Sequence, residues 1–118
     1  MINGFGDFVR ERREKLRKDN KTFSVRQVAQ RVGIEPAYLS KIERGEQPPP
    51  SEATIRKLAA DLALDPDVLL ALGGKVSADL QKIIRSRPEL FARLIRELEA
   101  MPDHAILNLV REVRDGNW

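Results

Sequence analysis

The glycine punctuation between Ser24 and Gly45 constrains this chain more than any other feature. Ser24 followed by Gln27 has the pattern of a capping box. The hydroxyl accepts from an unsatisfied first-turn N–H and the amide reaches back to the cap. Val25, Val28, Ala29 and Val32 then recur at helical spacing. Gly33 ends the segment, because glycine enters the left-handed conformation at little steric cost. Pro36 opens the next segment, where its missing N–H costs nothing. That segment runs to Arg44 and stops at Gly45. Two short helices joined by a glycine turn follow from this pattern.

The flanking sequence is helical too, with no alternating strand pattern bounded by turns. A first helix is expected over roughly Asp7–Lys18, with Phe5, Phe8, Val9 and Leu16 on one side, ended by Asp19-Asn20-Lys21-Thr22. Pro48-Pro49-Pro50 enforces an extended spacer. A fourth helix over Ser51–Leu62 turns Ile55, Leu58, Ala59 and Leu62 inward. Asp65-Pro66 caps and opens a fifth, with Val68, Leu69 and Leu72 buried. Gly73-Gly74 marks the expected boundary. Beyond it, Ser77 caps a helix carrying Leu80, Ile83 and Ile84. Pro88 opens another with Leu90, Phe91, Leu94, Ile95 and Leu98. Pro102 opens the last, with Ile106, Leu109, Val110 and Val113, and Gly116 ends it. The expected class is all-α.

Composition narrows the chemistry. The 118 residues contain no cysteine and one histidine, His104. Disulfides, thiolate metal sites and cysteine nucleophiles are thereby removed, and a reducing, cytoplasmic location is expected. No metal or cofactor is expected, and neither a signal peptide nor a membrane-spanning run is expected. Catalysis would need a convergent set of acid, base or nucleophile groups. His104 has no such partners in the sequence, so the chain is expected not to be an enzyme. Net charge is +3, with a pI near 9.5. Residues 1–21 hold seven Lys/Arg against four Asp/Glu, which equals the whole-chain excess. Such a patch suits either phosphates or a solvated helix face.

Two short helices about a glycine turn form the core of a helix-turn-helix. Ala29 is the small residue that lets the pair cross closely. Ile34, Leu39 and Ile42 anchor the second helix, while Glu35, Tyr38, Lys41 and Arg44 lie on its other face. The run Ser24–Gly45 resembles the Cro/CI-type (XRE-family, lambda-repressor-like) helix-turn-helix. Tyr38-Leu-Ser-Lys-Ile-Glu-Arg-Gly45 is its strongest local signature. The likeness covers about Phe5–Leu72. It implies a five-helix DNA-binding domain over 5–72, followed by about three C-terminal helices over 75–116. The implied function is sequence-specific regulation of transcription, as a repressor on double-stranded DNA. The implied phosphate contacts are Ser24 and Val25, at a helix N-terminus. The implied base-facing residues are Glu35, Pro36, Ala37, Tyr38 and Lys41, with Arg44 toward the backbone. Arg13 and Glu43 fall where the family often places a partly buried ion pair. Two departures stand out. The link from Arg13 to Ser24 is several residues longer than usual, adding Leu16-Arg-Lys-Asp-Asn-Lys21. Glu35 replaces the usual Ser/Thr cap. It caps poorly, and is either a cytosine acceptor or a solvated charge.

The two C-terminal apolar stripes are expected to form a homodimer interface centred on Phe91, Leu94, Ile95, Leu98, Ile106 and Val110, over an inverted-repeat operator. The layout resembles short repressors controlled by a metallopeptidase. An antitoxin, or another protein-interaction module with the same DNA-binding unit and a toxin as partner, is the alternative.

Overall fold

The computed structural model describes residues 4–116, all of whose regular elements are helical. The chain divides after Ser77 into two compact units. The first holds α1 (Phe5–Arg17), a 3₁₀ turn (Lys21–Phe23), α2 (Val25–Val32), α3 (Pro36–Glu43), α4 (Glu52–Asp61) and α5 (Pro66–Leu72). The second holds α6 (Ala78–Ser86), α7 (Pro88–Glu99) and α8 (Asp103–Asp115). Among the described residues, no helix is long and apolar enough to cross a membrane.

Local chemistry sets the helix ends of the first unit. Ser24 Oγ accepts from the Gln27 N–H at 3.2 Å, Ser51 Oγ from the Thr54 N–H at 3.3 Å, and an Asp65 carboxylate oxygen from the Asp67 N–H at 2.8 Å. The capping box at Ser24 is half made. Gln27 Oε1 meets the Ser24 hydroxyl at 3.5 Å, so its side chain engages the hydroxyl rather than the cap N–H. α1 begins at Phe5, two residues before the expected start, because Phe5 is itself buried in the core.

One core serves all five helices of this unit. Val9 of α1, Val28 and Ala29 of α2, Leu39 of α3, Ile55 and Leu58 of α4, and Leu69 and Leu70 of α5 have no accessible surface. Burying such a valine, leucine or isoleucine contributes about 1.5–3 kcal/mol, so seven of them from five helices, packed around Ala29, fix the arrangement firmly. The phase of α5 differs from expectation. Leu69 and Leu70 face the core, while Val68 is 51% exposed and Leu72 only half-buried. The Asp65 cap and Pro66 set where the short helix starts; Leu69 is inward as expected, and Leu70 joins it in place of Val68.

Ala63 closes α4 with φ 55°, in the left-handed region. The turn holds because the Leu64 N–H reaches Ala59 O at 2.8 Å. Arg12 adds a clamp from α1, donating from Nε to Leu62 O at 2.8 Å. A left-handed alanine is strained by roughly 1–2 kcal/mol, and glycine removes most of that penalty. Ala63→Gly is expected to raise unfolding stability by about 1 kcal/mol after the glycine entropy cost. Denaturant melts of the two proteins measure this, and a destabilised variant would contradict it.

Candidate nucleic-acid interface

α3 divides into a buried and a solvent face within two turns. Leu39, Ile42 and Glu43 point inward, and Glu35, Ala37, Lys41 and Arg44 are exposed. Tyr38 is half-buried and packs against the core, so part of that ring is committed to the fold. Pro36 is half-buried at the first helical position. Glu35 precedes it as an N-cap with no side-chain capping bond, which leaves its carboxylate exposed.

The turn between α2 and α3 holds this face in place. Gly33 has φ 84° and donates to Ala29 O at 2.8 Å, and Ile34 donates to the same oxygen at 3.0 Å. Ser24 and Val25 are half-buried at the start of α2. The amides of Val25 and Arg26 belong to the first turn, which a helix leaves without internal acceptors. Arg26, Gln30, Ile34, Glu35 and Pro36 line one shallow depression of about 570 Å³ across the α2–α3 corner.

Behind α3, Arg13 and Glu43 form a two-point ion pair. Arg13 donates from Nε to one Glu43 oxygen at 2.7 Å and from Nη2 to the other at 2.8 Å. Both side chains are almost wholly buried. Arg13 also donates to Phe23 O at 3.2 Å, tying in the 3₁₀ turn. The Glu43 hydrogen bond holds this guanidinium above the ordinary arginine range, against the opposing effect of burial. A raised arginine loses its proton only in strong alkali, so Arg13 stays charged at every ordinary pH.

Gly6 allows α1 to come this close. A Cβ there would lie 2.2 Å from Ile42 O and 2.9 Å from Glu43 O. The backbone of α1 therefore rests directly on the last turn of α3.

Two further arginines brace the unit rather than serving a ligand. Arg12 clamps the α4 terminus. Arg31 reaches from α2 to Asp61 of α4 at 2.6 and 3.0 Å and lies 4.9 Å over the Phe23 ring. The Asp61 hydrogen bond is the main cause of its raised pKa. The basic stretch of residues 1–21 thus gives up Arg12 and Arg13 to the interior. Arg10, Lys15, Arg17, Lys18 and Lys21 stay exposed. Arg44 donates from Nη1 to Ser40 Oγ at 2.9 Å and from Nε to Glu46 at 2.5 Å. His104 is exposed in the first turn of α8.

The sequence pattern of the helix-turn-helix domain family matches residues 5–72. The chain is 40% identical over 82 residues to the uncharacterized HTH-type transcriptional regulator RghRB of Bacillus subtilis (strain 168). That alignment covers 70% of this chain and 55% of the relative, so the chain spans about half the length of the protein it matches. The fold is similar to a chain of the SinR protein/SinI protein complex. The TM-score is 0.51 at 20% identity, covering 96% of this chain and 99% of that one.

Two substitutions probe the support of α3. Glu43→Ala leaves a buried guanidinium without its counter-charge and is expected to cost about 3–5 kcal/mol. Gly6→Ala gains helix propensity of about 0.5–1 kcal/mol but drives a methyl into backbone, with an overpacking cost of about 1–3 kcal/mol. The net effect on the thermal midpoint should be destabilising. A more stable Gly6→Ala protein would show that α1 and α3 can separate without penalty.

Proposed function

The chain belongs to the helix-turn-helix domain family, and from that premise we propose that it is a sequence-specific DNA-binding transcriptional regulator, a dimeric repressor on an inverted-repeat operator. The observation that carries this reading is the divided α3. Its buried side is locked by Leu39, Ile42 and the Arg13–Glu43 pair. Its outer side presents Glu35, Ala37 and Lys41 together, with Arg44 at the end. A rigid helix with a short row of polar and small side chains is what the major groove admits. Lys41 and Glu35 supply a donor and an acceptor for base edges, with Tyr38 beside them. Ala37 suits a thymine methyl. Ser24, Val25 and Arg44 serve the phosphates. The chain acts in this reading as a binding protein, with no catalytic step.

The homodimer rests on the second unit. No residue of α6, α7 or α8 is buried. α7 and α8 enclose an apolar groove of about 470 Å³ lined by Leu94, Leu98, Ile106, Leu109, Val110 and Val113. Leu94 is 48% exposed, Ile95 46% and Val110 54%. Phe91, Leu98 and Ile106 are half-buried beside them. An apolar face this continuous marks an association surface. A second copy covers it symmetrically and doubles the DNA contacts. The alternative occupant is a different protein, as in an antitoxin or a protease-controlled repressor, and the same groove favours that reading if the chain proves monomeric.

Selection of bound sites from random DNA tests the reading. An inverted repeat is expected, with half-sites about 10 base pairs apart, since a two-fold dimer sets its recognition helices about 34 Å apart. Lys41→Ala should relax one position per half-site by roughly 1–3 kcal/mol of discrimination. An unchanged preference would mean that another side of α3 faces the bases. For assembly, light scattering should find a dimer that Ile95→Lys or Val110→Lys converts to a monomer while the first unit keeps its melting transition. Dimers that persist in both variants would place the interface elsewhere.

A further inference from the structure

α3 ends in a closure that fixes a side chain as well as stopping the helix. Gly45, at φ 76°, donates to Ile42 O at 3.0 Å. The next amide, that of Glu46, reaches back to Lys41 O at 2.8 Å, and that of Gln47 reaches the same oxygen at 3.3 Å. This double closure is the Schellman arrangement. It returns the chain over the last turn of α3 and pins the Glu46 backbone beside the two cations of that turn.

The Glu46 carboxylate uses that position. One oxygen accepts from Arg44 Nε at 2.5 Å, while Arg44 Nη1 is held by Ser40 Oγ at 2.9 Å. Arg44 is the main cause that keeps the Glu46 carboxyl below its ordinary range, and Lys41 adds a smaller pull in the same direction. Glu46 also raises Arg44. The Arg44 side chain is 48% exposed and that of Glu46 is 54% exposed, so the contact faces solvent and can be exchanged. An oxyanion bonded to a guanidinium, near a lysine ammonium, reproduces the surroundings of a DNA phosphate oxygen.

We propose that Glu46 occupies, in the unbound protein, the place of a DNA phosphate on Arg44, so that duplex binding exchanges an internal carboxylate for a phosphate. This rests on the reading of α3 as the DNA-facing helix. Glu46 is then a built-in competitor. It lowers affinity for every duplex by the same factor, because phosphate contacts carry no sequence information. It also removes one positive charge from the protein's effective count in counterion release. Base preferences stay with the outward residues of α3.

The test uses the full chain and its Glu46→Gln, Arg44→Gln and doubly substituted forms. Each is titrated against a duplex selected from random DNA and against a duplex of scrambled sequence, across a salt series. Glu46→Gln is expected to tighten both duplexes by about threefold to tenfold at low salt, the scale of an exposed ion pair plus a removed like-charge contact. The log–log salt slope should steepen by about 1, and the selected base preferences should not change. In the Arg44→Gln background the gain should fall to under about half, because the exchange is lost and only a residual charge effect remains. Unchanged or weaker binding by Glu46→Gln overturns the proposal, since the carboxylate then supports Arg44 instead of competing for it. An equal gain with and without Arg44 also overturns it, by showing a diffuse charge effect. In both cases specific binding by the unaltered chain leaves the DNA-binding reading standing. If the unaltered chain binds neither duplex, both readings fall.

Discussion

The buried pair between Arg13 and Glu43 is the interaction on which the rest of the structure turns. Two charges in an apolar core are costly unless their hydrogen-bonding capacity is met. Here it is met by geometry that only the finished fold provides. Glu43 receives two donors from Arg13, and two further donors of Arg13 reach Phe23 O and Glu14. The first helix, the 3₁₀ turn and α3 are therefore set by one side chain. An apolar substitute could fill the volume and match the stability, but it would not fix the rotation of α3 about its axis. Directional bonds to a carboxylate at the end of α3 do fix it. That rotation decides which residues meet solvent, and hence what α3 can touch.

The elements visible in the sequence were those written in local chemistry. Ser24, Ser51 and Asp65 cap helices because each acceptor lies within three residues of its donor. Gly33 and Gly45 take the left-handed φ that their turns require. Periodicity in α2 and α4 was enough to mark Val28, Ala29, Ile55 and Leu58 as core. Features set by tertiary approach were not visible. Nothing around Gly6 announces that a carbonyl of α3 would sit where its Cβ should be. Arg13 was legible through the family resemblance, which paired it with Glu43, but Arg12 and Arg31 look like any solvated arginines. Only the positions of the Leu62 carbonyl and of Asp61 in space reveal those two as braces. The phase of α5 slipped for a related reason. In seven residues two apolar stripes fit the periodicity equally well, and the cap rather than the pattern selects Leu69 and Leu70 over Val68.

The ends of α3 divide its work. At the N-terminus, Glu35 makes no side-chain capping bond, which leaves first-turn amides and a carboxylate open together. At the C-terminus the Gly45 turn satisfies two carbonyls and brings a second carboxylate back over the helix. A helix dipole favours anions at the first end and cations at the last. Lys41 and Arg44 follow that preference. Glu35 follows it as well, and its charge near the N-terminus offsets part of the missing cap. The helix is therefore stable in charge terms at both ends while keeping polar groups turned outward.

The two units solve the burial problem differently. Residues up to Ser77 close a core on themselves, with side chains of no accessible surface from five helices. The later helices have apolar stripes of comparable length but bury none of those residues. A small helical unit without disulfides needs a core to offset the entropy of ordering its chain. Helices that show strong amphipathicity with no buried residue therefore have their stability completed by a surface outside themselves. In the proposed dimer, association and folding of α7 and α8 are one equilibrium, set by concentration. The unit formed by residues up to Ser77 closes its core without a partner. In the proposed regulator, a DNA-facing unit closed on its own core is joined to an assembly surface that a second copy completes, so occupancy of that surface, rather than a change of shape in α3, sets how tightly the whole molecule would hold its site.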